Sequence, residues 1–350
     1  MKYKTSFTTV MMESPSKIIG VGSRQYFVDD VEYDSSLSIL HFLTKPRDIE
    51  EIKSYLIGNN LDFALFQKLL EHKLVTSIEE LFQKEDTEEF KNALYLNLLL
   101  DNPIDVLNRF KHTTFVVIGC GSIGNFISYA LSVYFPKKII LIDGDRIERS
   151  NLNRQILFSK EDIGCYKSEV IARELKKKNS QSDIQIVTDY VTAENISTIL
   201  QGLDSNSTFG IISGDDQVAV RISSEKFVEK QIPFLNVGYL NDISVIGPFV
   251  IPRNSACPFC NHSLVATMDS QSHVSEIINA EYSSPSSFTN STLATSLAMS
   301  DIVQFFSGNL QKVKSLNARV GINSDTFEKY TLENRQDPNC SVCGVKNEGH

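Results

Sequence analysis

The residues of this chain best suited to chemistry begin at a glycine-rich turn, Gly119-Cys120-Gly121-Ser122-Ile123-Gly124, directly after the apolar run Phe115–Ile118. A first glycine permits a tight turn, a second lets the backbone approach a phosphate, and a third lets the following helix pack closely on the strand. The helix that opens here would present free N–H groups and a partial positive charge to an anion. Asp143 ends the next β-prone run, 19 residues beyond Gly124, where its carboxylate can accept ribose hydroxyls; Asp145 follows two residues later. The turn alone suits either a dinucleotide such as NAD or the phosphates of a triphosphate.

Residues farther along separate those ligands. A dehydrogenase needs little charge beyond its pyrophosphate contacts, whereas splitting a triphosphate requires Arg, Lys and Mg2+ to offset charge on the leaving group. The strand ending at Asp143 runs into DGDRIERSNLNRQILFSKEDIGCYKSEV, which supplies Asn151, Asn153, Arg154, Gln155 and Lys167 within 25 residues of that acid. Later, IISGDDQVAVR ends another β-prone run in Asp215 and Asp216, where Mg2+ could be held by carboxylates beside phosphates. This set favours a nucleoside triphosphate.

A second group consists of cysteines. Cys257-Pro-Phe-Cys260 and Cys340-Ser-Val-Cys343 are two C-x2-C knuckles 80 residues apart. Two such pairs complete a tetrahedral four-thiolate site, so structural Zn2+ is expected, with no open position for catalysis. Of the remaining two cysteines, Cys120 reads as a small packing residue inside the turn and Cys165 lies beside Lys167.

The elements that must position these groups follow from periodicity. From Thr113 onward, strand and helix patterns alternate, with strands expected at Thr113–Ile118, Lys138–Ile142, Ile184–Thr188, Phe209–Ser213 and Pro233–Val237. Helices are expected at Lys167–Asn179 and Val218–Lys230, giving an α/β domain with a parallel, Rossmann-like sheet. ISVIGPFVIP, following Gly238, should continue the sheet antiparallel, making it mixed. The serine-rich stretch Met268–Thr292 reads as a mobile crossover or lid. Upstream, β-prone pieces (YKTSFTTVMM, KIIGVGSRQYFV) precede helical patterns in SLSILHFL, RDIEEIKSYLI and DFALFQKLLEHKLV. That outline is winged-helix-like and binds DNA or peptide, or serves only as packing. Asp101–His112 is the expected junction, giving domains at residues 1–105 and 106–350.

At 350 residues and 41% hydrophobic content, the chain can build two domains with a sizeable core. Net charge of −9 and a pI near 5.3 argue against a nucleic-acid surface. There is no run of 18 apolar residues for a membrane span. The N-terminus lacks the apolar segment of a secretory signal, so a cytoplasmic location with reduced thiols is expected. No internal repeat is present.

The glycine turn, the Asp143 strand end, Asn-Leu-x-Arg-Gln at 151–155 and the later Lys167 together resemble the ubiquitin-activating, ThiF/MoeB type of adenylating enzyme, over roughly residues 105–345. The resemblance implies catalytic roles for Arg154 and Lys167 on the triphosphate and for an aspartate on Mg2+. Asp215 and Asp216 both align with that aspartate, Asp215 being preferred. Gly119, Gly121, Ser122, Gly124, Asp143, Asp145, Asn151, Asn153 and Gln155 complete the expected nucleotide site. Members that pass their substrate to a thioester carry a crossover cysteine; this chain has none between Cys260 and Cys340. With its N-terminal unit, NLNRQILFSKEDIG, NVGYLNDISVIGPFVIP and the terminal CSVCG, the chain resembles the microcin C-type peptide nucleotidyltransferases.

That resemblance implies ATP or CTP as substrate, a short ribosomal precursor peptide with a C-terminal asparagine as partner, and a homodimer. The implied product is a peptide joined to a nucleotide through an N–P bond by way of a succinimide, as in biosynthesis of a microcin C-like antibiotic. A second reading is an adenylating activator of a ubiquitin-like or sulfur-carrier protein. A third, a non-enzymatic binding module, is disfavoured by the presence of Arg154, Lys167 and the acid pair.

Overall fold

The computed structural model describes residues 1–6, 9–78, 87–179, 181–214, 216–260 and 285–344. The chain divides into two compact units, Met1–Asn108 and Arg109–His350.

The first unit runs β1 (Lys2–Thr5), β2 (Val10–Met12), β3 (Ile18–Gly20), β4 (Tyr26–Phe27), α1 (Asp30–Phe42), β5 (Arg47–Asp48), α2 (Ile49–Gly58), α3 (Phe63–Glu71), β6 (Val75–Ser77) and α4 (Phe90–Leu99). Two antiparallel sheets form, ordered β5-β1-β6 and β2-β3-β4. Each of the first three helices starts on an aspartate whose carboxylate accepts first-turn N–H groups: Asp29 from Glu32, Asp48 from Glu50 and Glu51, and Asp62 from Ala64. Their apolar faces meet in a core that includes Ile39, Leu43, Ile52, Leu56, Phe66 and Leu69. Each such side chain contributes about 1.5–3 kcal/mol on burial. The stretch expected as a junction contains a helix: α5 (Pro103–His112) starts at Pro103, whose fixed φ and missing N–H suit a first helical position. The division between units falls within it.

The second unit continues with β7 (Thr114–Ile118), α6 (Ser122–Ser132), β8 (Lys138–Ile142), α7 (Lys167–Lys178), β9 (Asp183–Val187), α8 (Ala193–Leu200), β10 (Thr208–Ile212), α9 (Gln217–Glu229), β11 (Phe234–Leu240), β12 (Ile243–Val250), α10 (Phe288–Phe306), β13 (Ala318–Asn323) and β14 (Lys329–Glu333). They build one eight-stranded mixed sheet, ordered β14-β13-β12-β11-β10-β7-β8-β9. The five strands β9-β8-β7-β10-β11 are parallel, and β11 to β14 pair antiparallel. Chain order reverses between β7 and β10, and such a switch point opens a crevice at the carboxyl ends of the strands.

The expected Rossmann-like strands are all present, and ISVIGPFV is antiparallel as expected. The sequence reading missed β13 and β14. Of the stretch expected as a polar crossover, Phe288–Thr292 open α10 and Ser287 caps it, while residues 268–284 lie outside the described residues. α10 packs on α6, β11 and β12. An aromatic layer of Phe110, Phe115, Phe209, Phe249, Phe305 and Phe306 fills that side. The opposite side packs Ile118, Ile142, Ile212, Phe227 and Phe234 with α8 and the cysteine knuckles. Among the described residues no helix is long and apolar enough to cross a membrane.

Candidate active site

The glycine turn lies at the switch point. Gly119 has φ +89°, and a Cβ there would come within 2.9 Å of the Gly214 nitrogen, so the turn is held tightly against the end of β10. Any Cβ at Gly124 would overlap the Gly119 carbonyl oxygen, which is how closely α6 returns onto the turn. Gly121 is different: nothing lies within 4 Å of its Cβ position. It is the N-cap of α6 and offers no side-chain cap, so the first N–H groups of that helix have no side-chain acceptor there and suit an anion.

Asp143 braces the turn. Its two carboxylate oxygens accept the backbone N–H groups of Cys120 and Asp145. Burial raises its pKa above the usual carboxylate range, against those hydrogen bonds and the nearby Lys167. Burial also holds the Cys120 thiol far above its ordinary value, so it stays protonated and inert. Cys165 is exposed.

Lys167, at the start of α7, is only 8% exposed. Its Nζ donates to Asp145 at 2.6 Å, and its backbone N–H donates to the Asp145 carbonyl. The Tyr190 hydroxyl donates to the other Asp145 oxygen at 2.7 Å. Burial would raise the Asp145 carboxyl, but the bonds from Lys167 and Tyr190 outweigh it and bring it below the usual value. The cation is thus held beside the phosphate turn with a partner that a more highly charged anion can displace.

Asn151 to Gln155 form one compact turn. Asn151 accepts from the Glu148 N–H and is buried, as is Gln155. Arg154 donates through Nη1 to the Ser150 carbonyl and to Asn153 Oδ1, while its Nε is buried without a partner. The turn is fastened to α6 through the Leu157 N–H, which donates to Asn125 Oδ1 at 3.2 Å. The Ser122 hydroxyl is engaged with Ser291 of α10, leaving its backbone N–H as the group facing the turn. Asp216 caps α9 through Oδ1, which accepts from Ala219; Asp215 lies outside the described residues. Sequence reading missed Tyr190, Asn125 and Ser291, because only the fold brings them to the turn.

The four knuckle cysteines converge. All their sulfurs lie within 4.8 Å of one another, with Cys257–Cys340 at 3.6 Å, Cys257–Cys260 at 3.9 Å and Cys260–Cys343 at 3.3 Å. Tetrahedral zinc with bonds of about 2.3 Å sets sulfurs about 3.8 Å apart, so this donor set fits zinc. The Phe259 and Asp337 N–H groups donate to Cys257 and Cys260 sulfurs, as amides around thiolates do.

Comparison with known proteins follows the same outline. The ThiF family profile matches residues 96–342. The microcin C7 biosynthetic enzyme MccB in complex with N-formylated MccA superposes with a TM-score of 0.84 and 28% identity, over 98% of this chain and 100% of that one. E. coli MccB with ATP gives a TM-score of 0.82 and 27% identity, over 98% of this chain and 100% of that one. Among curated relatives, the catalytic subunit of the Saccharomyces cerevisiae NEDD8-activating enzyme E1 is 30% identical over 163 residues, 45% of this chain and 52% of that protein. The chain spans between 34% and 52% of the length of the curated relatives it matches.

Proposed function

The chain belongs to the ThiF family, and we propose that it is a nucleotidyltransferase that activates the C-terminal asparagine of a short ribosomal peptide and leaves a nucleotide attached through an N–P bond. What carries this reading is the likeness to peptide-bound MccB over 98% of the chain, because the family profile itself begins only at residue 96. The N-terminal unit therefore belongs to the resemblance as much as the nucleotide fold does.

In this reading the α-carboxylate attacks the α-phosphorus of a nucleoside triphosphate and pyrophosphate leaves. The asparagine amide nitrogen then closes on the activated carbonyl, releasing the monophosphate and forming a succinimide. The succinimide nitrogen attacks a second nucleotide, pyrophosphate leaves again, and water opens the ring. No protein nucleophile is needed, in keeping with an inert Cys120. The turn from Gly119 to Gly124 and the start of α6 cradle phosphates, and Lys167 and Arg154 offset charge on the pyrophosphate. Asp143 and Asp145 position the ribose end. Asp215 and Asp216 would hold Mg2+, Asp216 keeping one oxygen beyond its capping bond; the ion would neutralise phosphate charge. Zn2+ on Cys257, Cys260, Cys340 and Cys343 would be structural.

Residues 1–105 act as the peptide clamp. β2 is an edge strand with exposed Val10, Met11 and Met12, suited to adding a peptide as a further strand. A homodimer in the cytoplasm completes the reading. The test is to incubate the full chain with synthetic peptides ending in asparagine and with ATP and CTP in turn, followed by mass spectrometry. A peptide heavier by one nucleoside monophosphate is expected. Transfer to no such peptide, with adenylation of a protein ending in Gly-Gly, would reject it. That outcome would favour a carrier-protein activator, a reading to which the NEDD8-activating relative lends support.

A further inference from the structure

Arg319 is the one arginine in the eight strands of the large sheet. Its Nε is buried without a hydrogen-bond partner, and no ion pair or hydrogen bond reaches its guanidinium among the described residues. Burial pulls its pKa below the usual value, with no acid among the described residues to restore it. A desolvated guanidinium without a counter-charge is costly, and such a group is the natural receptor for an anion from outside the chain.

Strand register says where it lies. Val320 pairs with Ile246, and Ile246 pairs with Val237. β11 and β13 both run opposite to β12, so the preceding residues, Asn236 and Arg319, are level with each other. Both lie on the face opposite Val237 and Val320, about 10 Å apart at two strand spacings. The strand between them contributes Gly247 and Pro248 at that level, across the register shift in the β11–β12 pair. Asn236 is half-buried and its side chain makes no hydrogen bond among the described residues. It pairs with Ile212, which pairs with Ile118, the residue before Gly119. Arg319 and Asn236 therefore share the level at which the parallel strands end and the crevice begins.

We infer that Arg319 and Asn236 form the acyl-substrate subsite, Arg319 taking a carboxylate and Asn236 a neighbouring carboxamide or peptide group. The inference rests on the reading that this chain activates a carboxylate, and it adds the residues that would hold one. Such an enzyme must bring an anion up to a triphosphate. Arg154 and Lys167 both come from the connection after β8, on the nucleotide side of the switch point. On the other side of the switch point, β13 supplies Arg319 as a half-buried cation with no acid against it among the described residues. The span between Arg319 and Asn236 suits a ligand the size of one asparagine.

The full chain can be tested for binding of N-acetyl-L-asparagine, its C-terminal amide and N-acetyl-L-alanine, with a non-hydrolysable ATP analogue present. The native protein should prefer the free carboxylate to the amide at least tenfold. Arg319→Gln should erase that preference and Arg319→Lys should keep part of it, with nucleotide affinity unchanged in both. Asn236→Ala should erase the preference for asparagine over alanine. A carboxylate preference that survives Arg319→Gln, or none in the native protein, would overturn the subsite. So would an effect of Arg319→Gln on subunit association alone, since the anion would then belong to a second copy. Peptide transfer separates this from the parent reading: a native enzyme that modifies peptides, with an unchanged KM in Arg319→Gln, removes the subsite and keeps the function. Carboxylate selectivity through Arg319 in a protein that modifies only a carrier keeps the subsite and removes the peptide.

Discussion

In the parallel half of the large sheet the buried cation, Lys167, is neutralised by Asp145 at 2.6 Å, and Tyr190 occupies the other oxygen of that acid. In the antiparallel half a half-buried cation, Arg319, meets no acid among the described residues. The first arrangement is stable without ligand and exchanges one anion for another when a nucleotide arrives. The second holds an unmet demand for charge, which a ligand would relieve. The cysteine knuckles, by contrast, serve both halves: Cys257, Cys260 and Cys340 pack with Ile118, Ile142 and Phe234 of the parallel strands and with Val250 of β12.

The largest expected effect lies at the cysteine knuckles that both halves share. Structural zinc contributes about 10–16 kcal/mol in small zinc domains, so stripping it should release the segment around Cys340 and lower the melting temperature more than any substitution below. Freshly purified protein should contain one zinc per chain by elemental analysis, and a chelator should expose the knuckle thiols to a thiol reagent before nucleotide binding is lost. Zinc-free protein with unchanged melting would leave the four cysteines as packing.

Next comes the paired cation. Lys167→Ala should lower the rate of transfer by about 100- to 1,000-fold, the worth of a preorganised charge on a leaving group, and Arg154→Ala should act similarly. The fold should persist, because Asp145 remains partly exposed and keeps its bond from Tyr190. Single-turnover rates under saturating nucleotide provide the check. Near-native turnover in either variant would show that this half contains a structural ion pair and not a catalytic one.

Much of the parallel half was legible from the chain alone. Its buried strands are short apolar runs, and one of them ends in a glycine turn whose spacing has few other uses. The cysteine knuckles announce themselves by spacing as well. The antiparallel half was harder to read for physical reasons. β14 is an edge strand exposed along its whole length, so no apolar alternation marks it. Phe288–Phe306 is rich in serine and threonine, which usually signal turns, yet several of those hydroxyls donate to carbonyls one turn back within the helix. Arg319 and Asn236 had no sequence signal at all, because their shared level depends on the pairing of β10, β11, β12 and β13.

The turn itself offers a smaller and sharper comparison, between two glycines three residues apart. At Gly124 an added Cβ would overlap the Gly119 carbonyl oxygen and lie 2.8 Å from its carbon. Those are backbone atoms that cannot rotate away. Gly124→Ala should therefore cost about 1–3 kcal/mol as overpacking, seen as a lower melting temperature without any ligand. At Gly121 the backbone has φ −70° and ψ −150°, outside the left-handed region that favours glycine, and nothing beyond its chain neighbours lies within 4 Å of the new methyl. Gly121→Ala should melt with the native protein, so whatever it changes must involve something that enters the open space. If the phosphates of a nucleotide lie there, calorimetry should show affinity for ATP or CTP falling about tenfold, roughly the 1.4 kcal/mol of a single crowded contact. Unchanged nucleotide affinity in a stable Gly121→Ala protein would mean that the phosphates do not lie over this turn. The charge contrast between the two halves would then lose its nucleotide side.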